Sequence, residues 1–201
     1  MNIIEKVRKK LKINKNGLLF LLGITLFGFI SGVIFITVIS KSDQALVKNY
    51  ITSYLNNIDK ISYFDSFKNI FLENLSFIII VWLLGMSVIG IPINIFYYFI
   101  KSFIMGFSIS SFILTYKIKG CLYAFIYIVP HNLINLIIYT ILIYFTINFS
   151  LTLIYAIFKK KNLNFKTMMN KYINILFISL AVILITTIYE TFIVPNLIKL
   201  F

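Results

Sequence analysis

The sequence predicts an all-α fold: a polytopic helical membrane protein with about five transmembrane helices, broken or re-entrant segments and an extracytoplasmic amphipathic helical loop. Hydrophobic residues make up 60% of the 201 residues and charged residues only 12%, and the mean hydropathy is +0.96. A soluble domain keeps much more charge on its surface. The net charge of +13 comes from lysine clusters between apolar runs. Such clusters determine the topology of membrane proteins. We therefore expect membrane lipids, and not nucleic acid, as the binding partners that the charge indicates.

The first 40 residues predict a cytoplasmic N-terminus and one membrane-spanning helix. Residues 1–16 are rich in lysine and contain a single acid, Glu5. The apolar run over residues 17–40 is longer than the core of a secretory signal, and no small-residue cleavage motif follows it. We therefore expect this run to be retained as the first transmembrane helix.

Residues 41–74 form the only long polar segment, and their four lysines balance four acids. A neutral segment after a basic N-terminus is expected on the outside under the positive-inside rule. Apolar residues recur in it at helical spacing, which predicts one or two amphipathic helices at the outer interface. We expect the segment either to anchor the chain on lipid or to dock extracytoplasmic partners. The candidate docking residues are Tyr54, Asp59, Phe64, Asp65 and Phe67.

Residues 75–116 are about twice as long as one transmembrane helix requires, which indicates a hairpin of two spans. Gly85, Gly90 and Pro92 interrupt this apolar run. Proline removes a backbone donor, and the glycines allow close helix approach. We expect the second and third spans to meet near Lys101 on the cytoplasmic side, where the long side chain reaches the headgroups.

The rest of the chain predicts two further spans. Residues 121–158 are too long for one helix and contain the sequence Val-Pro-His-Asn at 129–132. We expect a short re-entrant or interfacial half-helix there, followed by the fourth span. The lysine-rich residues 159–172 are expected in the cytoplasm, and residues 173–194 form the fifth span, which leaves the C-terminus outside.

The sequence contains no recognisable catalytic or metal-binding motif. One histidine and one cysteine exclude a multi-histidine zinc site and a cysteine-rich metal site, and no phosphate-binding loop for ATP is present. We therefore expect no enzymatic activity and no cofactor. Five polar or helix-breaking residues within apolar runs are functional candidates. They are Pro92, Pro130, His131, Asn132 and Glu190. The residues at 130–132 predict a half-helix site or a gate, with a simple helix break as the alternative, and the acid at 190 either has a function within the membrane or reaches water at the outer end of its span.

Small residues at helical spacing predict close helix contacts, either within the monomer or between protomers of a homo-oligomer. The first span contains a GxxxG motif, and the third contains two overlapping small-xxx-small motifs. The candidate contact residues are Gly28, Gly32, Gly85, Gly90, Ser102, Gly106 and Ser110.

Three stretches of the chain together resemble the sequence signature of the stage II sporulation protein M family. They are residues 82–92 continuing to Lys101 and Gly106-Phe107, the element at 129–132, and the closing element at 189–195 that runs from Tyr189-Glu190 to Pro195. Many members of the wider family carry a glutamate one turn after the Pro-His pair, where this chain has Asn135. That departure argues against a proton-handling or ion-handling role for a His–Glu pair in this chain.

The resemblance implies a multi-pass membrane protein that is needed for engulfment of the forespore. It implies a scaffold that anchors and localises a peptidoglycan-remodelling complex at the sporulation septum and engulfing membrane. The implied partners are stage II sporulation proteins D and P, which would carry out the enzymatic steps. A transporter or channel-like protein with a midplane site is the alternative, because transporters build substrate sites from broken helices.

Overall fold

A computed structural model describes residues 15–58, 62–159 and 164–198, which are helical almost throughout. The helices are α1 (Lys15–Val38), α2 (Lys41–Asn56), α3 (Tyr63–Leu84), α4 (Gly90–Tyr116), α5 (Ile118–Tyr123), α6 (Val129–Lys159), α7 (Phe165–Ile188) and α8 (Val194–Ile198). Two π-helical segments, Ala124–Ile128 and Tyr189–Ile193, join α5 to α6 and α7 to α8. Within the described ranges, five helical segments are long and apolar enough to cross a membrane. The predicted all-α polytopic fold is therefore confirmed.

The first and third spans, α1 and α4, pack along each other with their backbones in contact. A methyl group added at Gly32 would lie 2.1 Å from the carbonyl oxygen of Phe103. One added at Gly106 would lie 2.2 Å from the carbonyl oxygen of Phe29. Gly28 belongs to the same contact. These glycines permit a close helix approach that any larger residue would prevent, and the contact lies within the monomer.

The two serines of the small-residue motif in α4 differ in what they contact. Ser102 is buried opposite Gly28, whose added methyl group would lie 3.0 Å from the Ser102 Cβ. Ser110 donates its hydroxyl to the Gly106 carbonyl oxygen at 2.8 Å, which is a bond within α4 itself. Ser102 is thus part of the contact with α1, whereas Ser110 satisfies its hydrogen bond locally.

The hairpin between the second and third spans turns at residues 85–89, and the predicted turn near Lys101 is wrong. α4 begins at Gly90, so Pro92 lies in its first turn, where a backbone N–H has no partner within the helix. The proline therefore begins the third span and does not break the second. A side chain at Gly90 would lie 1.8 Å from the Leu84 carbonyl oxygen, so the turn requires glycine.

Hydrogen bonds from two other spans hold the turn at residues 85–89. Ser150 of α6 donates to the Gly85 carbonyl oxygen at 2.5 Å. Tyr172 of α7 donates to the Trp82 carbonyl oxygen at 2.5 Å. A methyl group at Gly85 would lie 2.1 Å from the Tyr172 hydroxyl. The backbone groups freed at the end of α3 are thus satisfied by side chains, as a position within a membrane bundle requires.

The predicted outer segment, residues 41–74, is divided between two helices. α2 forms the first part, and residues from Tyr63 onward belong to the second span. That span begins where the Ser62 hydroxyl accepts a hydrogen bond from the Asp65 backbone N–H, which caps the helix. The second span therefore runs over Tyr63–Leu84 and starts earlier than predicted. Asp59 lies outside the described residues.

The predicted half-helix at 121–129 is part of a helical segment that continues without a break into α6. Pro130 lacks a backbone donor, and its ring would press on the carbonyl group four residues earlier in a regular α-helix. The π-helical segment before it shifts the bonding pattern by one residue, and the Val129 N–H donates to the Ala124 carbonyl oxygen. The chain thus accommodates the proline within one span, and the predicted re-entrant break is absent from this part of the structure.

The bundle core lies where α3, α4, α6 and α7 meet. Its most deeply buried side chains include those of Ile78, Leu142 and Ile183. Tyr98 is also fully buried, and its hydroxyl lies 2.6 Å from that of Thr25 in α1. Because lipid tails are as apolar as these side chains, packing and such polar contacts stabilise the association of the spans.

The orientation of the spans can be tested with single cysteines in a Cys121→Ser background, since the native Cys121 is exposed. Asn56→Cys at the end of α2 is expected to react with a membrane-impermeant thiol reagent on intact cells. Lys166→Cys at the start of α7 is expected to react only after permeabilisation, because lysine-rich segments stay in the cytoplasm. Reaction of both positions in intact cells would contradict the orientation with the N-terminus inside.

Gly106→Ala is expected to lower the stability of the folded chain by about 1–3 kcal/mol, since the added methyl group collides with backbone atoms of α1. Gly23→Ala is the matched control, because a methyl group there meets no atom within 4 Å. That change should leave the thermal midpoint in detergent unchanged or raised, as alanine is the better helix former. Equal midpoints for wild type and Gly106→Ala would exclude a close contact at this position.

Candidate intramembrane site

A cavity of about 770 Å³ lies between α2 and the bundle. Its volume is in the range typical of sites for small molecules. The polar and aromatic residues on its wall include Tyr54, Glu73, Ser111, Tyr127, His131 and Glu190. These residues come from α2, from three different spans and from both π-helical segments, so the site exists only in the folded bundle.

His131 and Glu190 lie next to each other on the cavity wall although they belong to different spans. His131 Nε2 lies 3.4 Å from Glu190 Oε1 and 2.8 Å from Asn132 Nδ2. The nitrogen either donates to the carboxylate or accepts from the amide. The sequence identified each residue but predicted no acidic partner for the histidine, because Asn135 replaces the glutamate one turn on. The structure supplies that partner from the fifth span.

Each of the two residues lies at a π-helical segment. Glu190 is within the segment Tyr189–Ile193, and His131 follows the segment Ala124–Ile128 after two residues. A π-helical insertion widens the helix by one residue and rotates the side chains that follow, and such insertions are frequent at functional sites. Pro130 and Pro195 occupy equivalent positions, each two residues past its segment. The two helix irregularities therefore position the pair.

Sequence reasoning missed an ion pair between Glu73 of α3 and Lys101 of α4. Lys101 Nζ lies 2.7 Å from Glu73 Oε1 and 5.4 Å from the ring centre of Phe77. The sequence placed the acid in the outer segment and the lysine in the cytoplasmic turn. Each lies eleven residues from the helix end at the turn of residues 85–89, so antiparallel packing brings them to the same level.

The Glu73–Lys101 pair belongs to the electrostatic surroundings of the cavity. Glu73 lines the cavity, and both charges interact electrostatically with Glu190. Ionisable residues in membrane spans are costly and are usually paired or functional. The lysine offsets one of the two carboxylates, and Glu190 remains without a lysine or arginine partner among the described residues.

The helix α2 is joined to the cavity by a pair of tyrosines. The Tyr127 hydroxyl donates to that of Tyr54 at 2.9 Å, and the ring centres are 5.8 Å apart. Burial raises the pKa of the Tyr54 phenol above its ordinary value, which favours the protonated form that takes part in this hydrogen bond. Tyr54 therefore faces the bundle and is not an outward docking residue.

The other predicted candidates lie at different places in the fold. Phe64 and Asp65 are exposed at the start of α3. Phe67 is half-buried and stacks on Phe71, with ring centres 5.7 Å apart. Pro92 lies in the first turn of α4, away from the cavity. The predicted docking residues are thus separated by the fold, and among those that the structure describes only Phe64 and Asp65 present exposed side chains.

Asn135 connects the fourth and fifth spans next to the site. Its Oδ1 accepts a hydrogen bond from the Thr186 hydroxyl at 2.6 Å, and both side chains are buried. A buried amide paired in this way stabilises a specific rotation of the two helices. The residue that departs from the family pattern therefore has a structural partner of its own.

The wall of the site combines carboxylates, an imidazole and aromatic rings. Over the described residues, no three His, Cys, Asp or Glu side chains are arranged to hold a metal ion. The hydroxyl groups on the wall belong to tyrosines and serines, and His131 contacts an amide and a carboxylate. A carboxylate without a cationic partner beside aromatic rings is an environment that attracts positive charge.

Comparison with known proteins identifies one family. A family model described as Stage II sporulation protein M matches residues 18–195. The match includes His131, Glu190 and both residues of the Glu73–Lys101 pair. No curated protein and no solved structure matches the chain significantly.

A double-mutant cycle tests whether Glu73 and Lys101 are coupled. Glu73→Gln and Lys101→Gln should each lower stability, and the double variant should lose less than the sum of the two. The expected coupling is about 0.5–3 kcal/mol, as for residues in direct contact. Glu73→Gln combined with Lys166→Gln, at the distant start of α7, is the control and should be additive. If the effects of Glu73→Gln and Lys101→Gln on the free energy of unfolding are additive, the ion pair contributes nothing to stability.

Proposed function

The chain belongs to the stage II sporulation protein M family, and from this premise we propose that it is a non-enzymatic membrane scaffold of endospore formation. In this proposal it anchors and localises a peptidoglycan-remodelling complex at the sporulation septum and engulfing membrane. Family membership and five apolar spans make it a multi-pass membrane protein of a sporulation family. The scaffold role and the partners are the proposed part.

The observation that carries the proposal is the way α2 is held. Ile51 of α2 and Ile58 just beyond it are buried against the bundle, and each is less than one-tenth exposed. Lys48, Asn49 and Thr52 of the same helix are exposed, and Asn49 lies on the face opposite Ile51. A helix attached by one apolar face presents its polar face in a defined position, which suits a docking surface better than a mobile loop would.

The location of α2 supports extracytoplasmic partners. In the proposed orientation the N-terminus is inside, and α2, which directly follows α1, lies on the outer side of the membrane. Peptidoglycan lies on that side. In the proposal, stage II sporulation proteins D and P bind there and carry out glycan-strand cleavage and peptide removal. The scaffold contributes position and needs no catalytic residue of its own.

One observation favours a transporter or channel-like protein as a second candidate. The cavity contains charged residues from several spans, and two of these spans are irregular where they line it. Transporters bind substrates at such places. We prefer the scaffold function because the family assignment supports a sporulation role. In addition, no internal repeat of the transporter type is visible in the sequence.

Charge reversal on the outward surface tests the docking role. Lys48→Glu on α2 and Asp65→Lys at the start of α3 change exposed residues and leave the buried face of α2 intact. We expect each to reduce co-purification of stage II sporulation proteins D and P from sporulating cells by about tenfold, since rim charges govern partner encounter and specificity. Engulfment, followed by membrane staining, should be impaired in parallel.

The control is Lys166→Glu, an exposed charge reversal at the opposite end of the bundle. It should leave co-purification and engulfment at wild-type levels. The amount of each variant in the membrane is measured to separate lost docking from lost protein. Normal capture of both partners by Lys48→Glu and Asp65→Lys would place the binding surface elsewhere, on the lipid-facing sides of the spans.

A further inference from the structure

The cavity below α2 has an unbalanced charge. Glu73 and Glu190 both line it, and Lys101 pairs with Glu73 at 2.7 Å. Glu190 has only the imidazole of His131 beside it among the described residues, at 3.4 Å. In a low-dielectric environment an uncompensated carboxylate strongly favours a positive charge nearby. With Glu190 ionised, the cavity is therefore expected to favour cations over anions.

The cavity also contains a hydrogen-bonding atom without a partner. His131 is only 4% exposed, and its Nδ1 contacts no donor or acceptor in the described part of the chain. Buried polar atoms in proteins are nearly always paired, so an unpaired one on a cavity wall needs an explanation. A ligand that reaches the cavity beside Glu190 would meet this imidazole as well.

Aromatic rings form much of the remaining wall. They belong to Tyr50, Tyr54, Phe107, Phe112 and Tyr127. The faces of such rings attract ammonium groups, and their apolar surface accepts hydrocarbon. Two carboxylates and one histidine do not form a metal-binding cluster here, since no group of three such side chains within reach of one ion occurs among the described residues. The volume of about 770 Å³ also exceeds what a single inorganic ion would fill.

From these features we propose that the cavity is a binding site for a small organic molecule that carries a protonated amine. The ammonium group forms an ion pair with Glu190 and lies within reach of His131. The hydrocarbon part of the molecule packs against the tyrosine and phenylalanine rings. α2 covers the site, and the Tyr54–Tyr127 hydrogen bond joins this cover to the fourth span.

The proposal is tested with two probes of the same shape, benzylammonium and benzyl alcohol, on the purified full chain in detergent at neutral pH. Binding is measured by titration calorimetry, and each titration is corrected with empty micelles. We expect benzylammonium to bind at least ~10-fold more tightly than the alcohol, the usual effect of a charge-assisted hydrogen bond. Equal affinities, or no binding of benzylammonium, would overturn the proposal without any variant being needed.

Two variants test the location of the site, and a third variant is the control. Glu190→Gln keeps the shape of the side chain and should abolish the preference for the charged probe. Tyr54→Leu should weaken benzylammonium severalfold by removing a ring face. Asp65→Asn removes a carboxylate outside the cavity and should leave both affinities unchanged. A preference for the charged probe that persists in Glu190→Gln and Tyr54→Leu would show that the amine binds elsewhere.

Discussion

A helix that crosses lipid must satisfy its own backbone hydrogen bonds, because the hydrocarbon region contains no water to do so. Pro130 and Pro195 each remove a donor from such a helix. The chain stays helical past both prolines because a π-helical segment precedes each one and shifts the bonding partners by one residue. The same segments determine where His131 and Glu190 point. The candidate site therefore depends on how the backbone accommodates two prolines.

Polar side chains in the bundle have two different roles. At the turn of residues 85–89, Ser150 and Tyr172 donate to backbone carbonyl groups and satisfy these acceptors. Fully satisfied buried polar groups hold helices in one arrangement. In the cavity, His131 and Glu190 keep binding capacity that no described side chain fully uses. The end of the bundle at residues 85–89 thus has the properties of a rigid support, and the cavity has those of a binding site.

α2 connects the two proposals because each uses one of its faces. Its polar face, which includes Lys48, is the surface proposed for extracytoplasmic partners. Its apolar face, which includes Ile51 and Tyr54, covers the cavity. A partner that binds the polar face of α2 contacts a helix whose apolar face is packed against the cavity. The two proposed sites therefore share α2. Partner docking needs only the outward face, so the scaffold role does not require a ligand.

The sequence by itself determined the number of spans and the family, because hydropathy and short motifs are properties of neighbouring residues. Only the tertiary structure decided which residues of different spans meet. Glu73 and Lys101 lie at the same level because the hairpin turns at residues 85–89. A turn predicted near Lys101 puts the two residues at different levels, so the ion pair cannot be recognised. His131 and Glu190 were recognised singly as polar residues in apolar runs. Their contact depends on the rotation of two helices past π-helical segments, which no hydrophobic pattern records.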